Sequence, residues 1–127
     1  MKRPAAAAAV ALFGALLLAA CVHTPSRIPP PEVPGGDPAR GVTFIQQYGC
    51  GSCHVIPGVN GANGLVGPPL NLFARRGYIA GELPNSGDNL IRWIQHPKDV
   101  EPNTAMPDLG VTPTQARDIA AYLFTLR

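Results

Sequence analysis

Cys50, Cys53 and His54 are the residues of this chain whose types and spacing most directly indicate chemistry. A Cys-x-x-Cys-His run is the attachment pattern of a c-type haem. Each cysteine sulfur forms a thioether with one vinyl group of the porphyrin, and the histidine that follows can bind the iron from one side. The run therefore predicts one covalent haem c, held by Cys50 and Cys53, with His54 as an iron ligand.

Half of a zinc site is the alternative interpretation of the same run. A structural zinc ion takes four ligands, which usually come as two closely spaced pairs of cysteine or histidine. The other candidates in the sequence are Cys21, His23 and His96, which are scattered along the chain. This spacing favours haem over zinc.

The second axial ligand of the iron decides the chemistry. A vacant position would allow gas binding or peroxidase-like reactions, whereas a filled one favours electron transfer, and a histidine–methionine pair raises the reduction potential. Met106 lies between Pro102 and Pro107, outside any periodic apolar stretch, and proline restricts the backbone that presents its sulfur. We therefore expect Met106 to be a ligand rather than a gap-filling core methionine.

His96 is the competing candidate for this position. It ends an apolar helical stretch directly before Pro97, where a histidine can cap helix carbonyls and interact favourably with the helix dipole. We expect His96 to have this capping role. His23 lies too far from the Cys-x-x-Cys-His run to compete.

The N-terminal 21 residues have the pattern of an export signal. Residues 1–3 (Met-Lys-Arg) are positively charged and residues 5–20 are all apolar or small, as in a secretory signal peptide. The alternative is a transmembrane helix, but the stretch is shorter than the roughly 20 residues that a bilayer span needs. Residues 18–21 (Leu-Ala-Ala-Cys) resemble a bacterial lipoprotein box, which predicts a signal peptide over residues 1–20 and a lipid on Cys21.

This interpretation accounts for all three cysteines of the sequence. Cys50 and Cys53 go to haem and Cys21 goes to lipid, which leaves no thiol for a disulfide. Removal of Lys2 and Arg3 leaves as many basic as acidic residues, so nothing in the charge suggests a nucleic acid as partner. We expect an exported protein of the bacterial cell envelope, lipid-anchored to a membrane on its periplasmic or outer side.

Residues 21–37 have the composition of a spacer. Six prolines lie between residues 22 and 38, including Pro29, Pro30 and Pro31, and such a stretch favours extended polyproline II over a packed core. It is either a semi-rigid tether for the following domain or an ordinary disordered spacer, and composition does not separate the two.

Residues 38–127 are predicted to form a small all-α domain with three to four main helices around the haem. The predicted helices run from 38 to 48 with Asp37 as N-cap, from about 87 to 96, and from 113 onward, where Thr112 and Gln115 form a capping box. A short helical turn is expected near residues 70–75. No strand pattern is found.

Two loops are expected to border the haem. Residues 55–71 contain Gly58, Gly61, Gly64 and Gly67, and a loop of this length is unusual unless it is functional. We expect it to wrap the haem edge on the histidine side. Residues 77–86 are predicted to be irregular, and residues 97–111 to form the loop that carries Met106.

The domain resembles class I c-type cytochromes over nearly all of residues 38–127. The resemblance is carried by Gly41, Phe44, Cys50–His54, Gly67–Leu70, Met106–Pro107 and Asp118–Leu123. It implies that the first and last helices cross at a glycine, here Gly41 against Tyr122. It also implies that Pro68 and Leu70 border the haem and that the Pro68 carbonyl accepts the second ring N–H of His54.

A narrower resemblance is to the cytochrome c domain fused to subunit II of some haem-copper oxidases. It runs through Gly67, Arg75-Arg76, Leu83–Asn85, Asn89-Leu90, Trp93-Ile94, His96-Pro97 and Met106-Pro107. It implies that Arg75, Arg76 and Trp93 face the haem propionates; a solvated basic pair and a core aromatic residue are the alternatives. The sequence lacks the copper-binding domain and transmembrane hairpin of that subunit, so the resemblance implies a class of partner rather than membership of an oxidase subunit.

Three functions are compatible with these observations. The first is a membrane-tethered monohaem electron carrier, not itself an enzyme, that works with respiratory redox proteins such as a terminal oxidase or a quinol-oxidising complex. The second is a fixed haem subunit of such a complex. The third is a haem sensor or peroxidase, which would need an open sixth position on the iron.

Overall fold

The computed structural model describes residues 33–127. The predicted signal peptide, Cys21, His23 and most of the predicted spacer lie outside the described residues. The elements are α1 (Pro38–Gln47), a 3₁₀ turn (Cys50–Ser52), a second 3₁₀ turn (Phe73–Arg75), β1 (Tyr78–Ile79), β2 (Leu83–Pro84), α2 (Gly87–Gln95), α3 (Pro97–Val100) and α4 (Pro113–Leu123). The predicted all-α class is confirmed. Within this part of the chain, none of the helices combines the length and apolar composition of a membrane span.

The predicted helix starts are confirmed by their caps. The Asp37 carboxylate accepts from the backbone N–H of Ala39 at 2.9 Å, and α2 begins after Ser86, whose hydroxyl accepts from the third residue of the helix. Thr112 and Gln115 form the expected capping box before α4. Each cap satisfies backbone donors that have no partner inside the helix.

Two segments that were predicted to be irregular contain regular structure. In residues 77–86, β1 pairs with β2 in antiparallel register, with Ile79 opposite Leu83. These two-residue strands are too short to show an alternating pattern in the sequence. In residues 97–111, Pro97 both ends α2 and begins α3, because a proline is compatible with the first turn of a helix but not with its interior.

α1 and α4 cross at Gly41, as the family resemblance implied. A Cβ atom at Gly41 would lie 2.2 Å from the backbone oxygen of Asp118 and 3.0 Å from the Cβ of Tyr122. No residue larger than glycine fits this contact without moving one helix, which explains a glycine that costs about 1 kcal/mol in helix propensity. The tightest contact is with the Asp118 carbonyl rather than with the aromatic ring.

An ion pair between a buried carboxylate and a half-exposed guanidinium lies beside the crossing. The Asp118 side chain is 1% exposed, and its carboxylate accepts from Arg40 Nε at 2.8 Å and from the backbone N–H of Asp37 at 2.8 Å. The hydrogen bond from Arg40, supported by that N–H, outweighs burial and holds the pKa of Asp118 below its ordinary value. The beginning of α1 is thereby attached to the middle of α4.

The hydrophobic core lies where α2, α4 and the end of α1 meet. The rings of Phe73 and Phe124 pack edge to face, with centroids 5.7 Å apart, and attach the second 3₁₀ turn to the end of α4. The other large contributors are Ile45, Ile56, Ile79, Leu90, Ile94, Ile119 and Leu123.

The ion pair predicts a specific response to acid. We expect Asp118→Asn to lower the free energy of unfolding at pH 7 by about 2 kcal/mol, the order of a hydrogen bond to a charged group. The folded pKa of Asp118 is depressed, so its contribution is complete above the unfolded value of about 3.9 and is lost as the pH falls through the folded pKa. Urea unfolding followed by circular dichroism should therefore show the variant and wild type converging in acid.

Asp99→Asn is the matched control, because Asp99 is exposed on α3. It should leave the acid dependence of stability as it is in the wild type. A loss of stability in Asp118→Asn that stays constant from neutral to acid pH would contradict the assignment of this carboxylate as ionised and paired.

Candidate functional site

The Cys-x-x-Cys-His run begins three residues after the end of α1. Gly49 has a φ of 68°, a left-handed conformation that glycine adopts at little cost, and turns the chain into the first 3₁₀ turn. The backbone N–H groups of Cys53 and His54 both donate to the Cys50 carbonyl, at 3.3 and 3.1 Å. The two sulfurs and the imidazole are thus presented by one tight turn.

Backbone hydrogen bonds join the glycine-rich loop of residues 55–71 to this run. The backbone N–H of Gly64 donates to Gly51 at 3.0 Å, and that of Gly67 donates to Cys53 at 2.8 Å. A third bond, between Leu70 and Val55 at 2.8 Å, extends the pairing. Residues 64–70 therefore lie alongside residues 51–55, on the side of His54.

His54 is oriented by a backbone carbonyl. Its Nδ1 lies 2.8 Å from the carbonyl oxygen of Pro68, the contact that the family resemblance implied. A carbonyl oxygen can only accept, so Nδ1 carries a proton, and in the neutral imidazole the lone pair is then on Nε2. A Cβ atom on Gly67 would lie 2.3 Å from Cε1 of His54, so the backbone at Gly67 packs directly on the imidazole ring.

A cavity of about 370 Å³ opens beside this segment. It brings together Cys50, Cys53, His54, Met106 and Trp93, all of which were singled out in the sequence. The predicted residue Pro68 also lines it. The remaining lining residues are Tyr48, Gly49, Ser52, Val66, Gly67, Ala80, Glu101, Thr104, Ala105, Pro107 and Leu109. The cavity thus joins the two thiols, one imidazole and one thioether in a mostly apolar enclosure.

Met106 is held by its own loop. Its backbone N–H donates to the hydroxyl of Thr104 at 3.2 Å, and the N–H of Thr104 donates to the Glu101 carbonyl at 3.0 Å. Glu101 follows α3, so that short helix sets where the loop begins. The side chain of Met106 is half-buried in the cavity wall.

Three predicted residues do not line the cavity. Leu70 packs against the core, and Arg75 is exposed. Arg76 donates to the Pro69 carbonyl, and its guanidinium carbon lies 5.2 Å from the centroid of the Phe73 ring. Arg76 therefore binds the backbone of the segment next to Pro68. The predicted contact of these three residues with a bound haem stays a prediction.

His96 lies outside the cavity lining. Its backbone N–H caps α2 by donating to the Arg92 carbonyl at 2.9 Å. Its ring Nδ1 lies 3.6 Å from a carboxylate oxygen of Asp108, and both side chains are more than half exposed. The ring therefore lies at the surface, but it faces Asp108 rather than the last carbonyls of α2, which the sequence predicted it would cap.

Tyr48 is a cavity residue that was not predicted. Its hydroxyl donates to the side-chain oxygen of Gln115 at 2.7 Å, across 67 positions of sequence. The same oxygen closes the capping box of α4, so the start of α4 supports the cavity wall. The sequence shows an aromatic residue two positions before Cys50, which could have indicated a cavity residue. Its hydrogen-bond partner, Gln115, is identified only by the fold.

The ionisable groups of the cavity are few. Among the described residues, the lining contains the imidazole of His54, the Glu101 carboxylate, the Tyr48 phenol and the two thiols. Burial raises the pKa of the Cys50 thiol. Residues 33–127 contain no group of three His, Cys, Asp or Glu side chains placed to hold a metal ion.

Comparison with known proteins gives two matches. The family model described as cytochrome c matches residues 38–127. The curated protein cytochrome c oxidase subunit 2 of Alkalihalophilus pseudofirmus is 31% identical over 91 residues, which are 69% of this chain and 25% of that protein. The chain therefore spans about a quarter of the length of this relative.

The packing of Gly67 on His54 can be tested by adding one methyl group. We expect Gly67→Ala to displace the imidazole and break the bond to Pro68, because the new Cβ would lie 2.3 Å from a ring carbon. The Nδ1–H resonance of His54 in ¹⁵N-labelled protein should then disappear through exchange with water. Gly77→Ala is the control, since nothing lies within 4 Å of a Cβ at that position. Retention of the resonance in Gly67→Ala would contradict the assignment.

Proposed function

The chain belongs to the cytochrome c family, and from this membership we propose that it is a monohaem electron carrier of a respiratory chain. The observation that carries the proposal is the meeting of Cys50, Cys53, His54 and Met106 in one cavity. We further propose that residues 1–20 are an export signal, that Cys21 carries lipid, and that residues 21–37 tether the haem domain of residues 38–127 to a membrane of the bacterial cell envelope.

The residues of the cavity fit haem c. Cys50 and Cys53 supply the two sulfurs for its thioether links, and His54 and Met106 supply one nitrogen and one sulfur ligand for its iron. The apolar lining suits a porphyrin face, and Gly67 leaves room for the His54 ring where a side chain would displace it. When bound, haem c supplies a metal centre that gains or loses one electron.

The residues of the chain orient the two proposed ligands and control the access of water. The Pro68 carbonyl keeps the proton on Nδ1 of His54 and so directs Nε2 to the iron, as residues behind a metal ligand commonly do. Thr104 and the prolines beside Met106 hold the thioether in place. The apolar lining would limit the access of water to a bound haem, and ligation by both His54 and Met106 would favour electron transfer over reactions with small molecules.

A terminal oxidase is the partner we propose for this carrier. The support is the match to a cytochrome c oxidase subunit 2 over 91 residues, together with the resemblance to the cytochrome c domains fused to such subunits. The same match supports a second candidate, a fixed haem subunit of an oxidase or quinol-oxidising complex. Recovery of the haem protein with such a complex after detergent extraction would favour the fixed subunit.

Substitution of Met106 tests the electron-carrier function. We expect Met106→His to keep the iron six-coordinate but to lower the midpoint potential, because methionine raises the potential of a histidine-ligated haem. Met106→Ala should open the sixth position, abolish the weak long-wavelength absorption of iron–methionine ligation, and let carbon monoxide bind the reduced protein. Redox titration and absorption spectroscopy measure these changes.

Leu109→Ala is the control, because Leu109 lines the same cavity from the same loop but carries no ligand atom. It should retain the absorption band and resist carbon monoxide as the wild type does. Ready binding of carbon monoxide to the wild-type protein would contradict the carrier and favour a sensor or peroxidase.

Membrane tethering has a separate test. We expect Cys21→Ser to move the haem protein from the membrane fraction to the soluble fraction of cells, because serine has no sulfur for lipid attachment, while the spectrum stays the same. His23→Ala is the control and should remain with membranes after a high-salt wash. An unchanged membrane fraction in Cys21→Ser would contradict the lipid anchor.

A further inference from the structure

The glycine-rich loop contains two Asn-Gly dipeptides, Asn60-Gly61 and Asn63-Gly64. Neither dipeptide lines the cavity, so its surroundings do not depend on what fills that cavity. Asparagine is among the thermolabile residues, because the next backbone nitrogen can attack its side-chain amide carbon. Glycine in the next position favours this attack, since it has no Cβ to obstruct the approach and its backbone rotates easily. Both dipeptides therefore have the covalent chemistry of a deamidation site.

Asn60-Gly61 lies at the tip of a turn. The backbone N–H of Ala62 donates to the carbonyl of Val59 at 3.2 Å and closes the turn. Gly61 has a φ of 75°, the left-handed conformation that a type II turn places at its third residue. Asn60 and Gly61 are both exposed, and nothing lies within 4 Å of a Cβ at Gly61. The dipeptide has open space around its backbone.

The peptide group between Asn60 and Gly61 is free to rotate. Among residues 33–127, neither its carbonyl nor its N–H makes a backbone hydrogen bond. It can turn as a unit while the bond from Ala62 to Val59 stays in place. Such a rotation is needed to bring the Gly61 nitrogen to the side-chain carbon of Asn60, and here it requires no neighbouring bond to break.

The second dipeptide is held in place by the Cys-x-x-Cys-His run. The N–H of Gly64 donates to the Gly51 carbonyl at 3.0 Å, and a Cβ on Gly64 would lie 2.1 Å from the carbonyl oxygen of Ser52. Asn63 itself pairs with Val55 in an isolated bridge. Its side chain is exposed like that of Asn60, so exposure does not distinguish the two sites. The attacking nitrogen of Gly64 becomes available only after local opening of this segment.

We propose that Asn60 is a site of spontaneous deamidation in the folded protein, and that the fold protects Asn63. The Gly61 nitrogen forms a bond to Cγ of Asn60, the bond from Cγ to the side-chain nitrogen breaks, and ammonia leaves with the former Gly61 proton. The cyclic succinimide then takes up one water molecule and opens to aspartate or isoaspartate. Water is the sole co-reactant, and no electron is transferred. The proposal does not depend on the function of the cavity.

The modified turn packs against the haem-attachment run. A Cβ on Gly51, between the two cysteines, would lie 2.7 Å from Cα of Ala62, and the Ala62 carbonyl accepts from the N–H of Ile56 at 3.2 Å. Isoaspartate adds one carbon to the backbone directly before Gly61 and leaves a new carboxylate there. The longer turn cannot keep Ala62 in the same place. We therefore expect faster hydrogen exchange of the Ile56 amide in the isoaspartate form.

The proposal is tested on the purified full chain, incubated at mildly alkaline pH with and without urea. Tandem mass spectrometry of proteolytic peptides follows the conversion of each asparagine separately. In the folded protein we expect Asn60 to react at least about tenfold faster than Asn63, because Asn63 must wait for local opening. In urea the two rates should agree within about twofold, because both asparagines precede glycine and the fold no longer separates them.

Asn60→Gln and Asn63→Gln are a matched pair of exposed variants. Glutamine would have to form a larger ring and reacts slowly, so Asn60→Gln should remove most of the ammonia released by the folded protein. Asn63→Gln should release ammonia at the wild-type rate.

Equal rates at the two asparagines in the folded protein, or faster reaction at Asn63, would overturn the protection by the fold. Reaction of Asn60 in urea alone would overturn the site in the folded protein. Unchanged exchange of the Ile56 amide in the isoaspartate form would overturn its effect on the packing of Ala62. None of these results would alter the assignment of the haem site.

Discussion

The close approach of α1 and α4 at Gly41 is the constraint on which the site depends. α1 runs within three residues into Cys50, so the angle and depth of the crossing decide where the cysteines and the imidazole lie. Asp118 acts twice at this contact, since its carbonyl faces Gly41 while its buried carboxylate binds Arg40 and the backbone of Asp37. Helix packing and site geometry are therefore set by one short stretch of α4.

α4 also holds the chain on both sides of the Cys-x-x-Cys-His run. On the N-terminal side, Gln115 accepts from the hydroxyl of Tyr48. On the C-terminal side, the hydroxyl of Tyr122 donates to the carbonyl of Pro57 at 2.6 Å. Each bond joins residues more than 60 positions apart, and together they fix a loop-borne motif against a rigid helix. Such support keeps a site in a single geometry.

Polar and apolar groups occupy different parts of the cavity. Hydrogen bonds lie behind the two proposed iron ligands, at Pro68 for His54 and at Thr104 for the loop of Met106. Apart from Glu101 and His54, the residues of the cavity lining are apolar or uncharged.

Local chemistry determined what was predictable from the sequence alone: the Cys-x-x-Cys-His turn, the caps at Asp37 and Thr112, the three main helices and the family. The turn, the caps and the helices each depend on residues a few positions apart, whose preferences act without the rest of the fold, whereas the family was recognised from motifs spread over residues 38–127. The strand pair and α3 escaped prediction because they are too short for any periodicity. Only the tertiary structure decided that Trp93 and Met106 share a cavity with the run. It also decided that Arg76 donates to the Pro69 carbonyl and does not line that cavity. These placements follow from helix packing between distant parts of the chain.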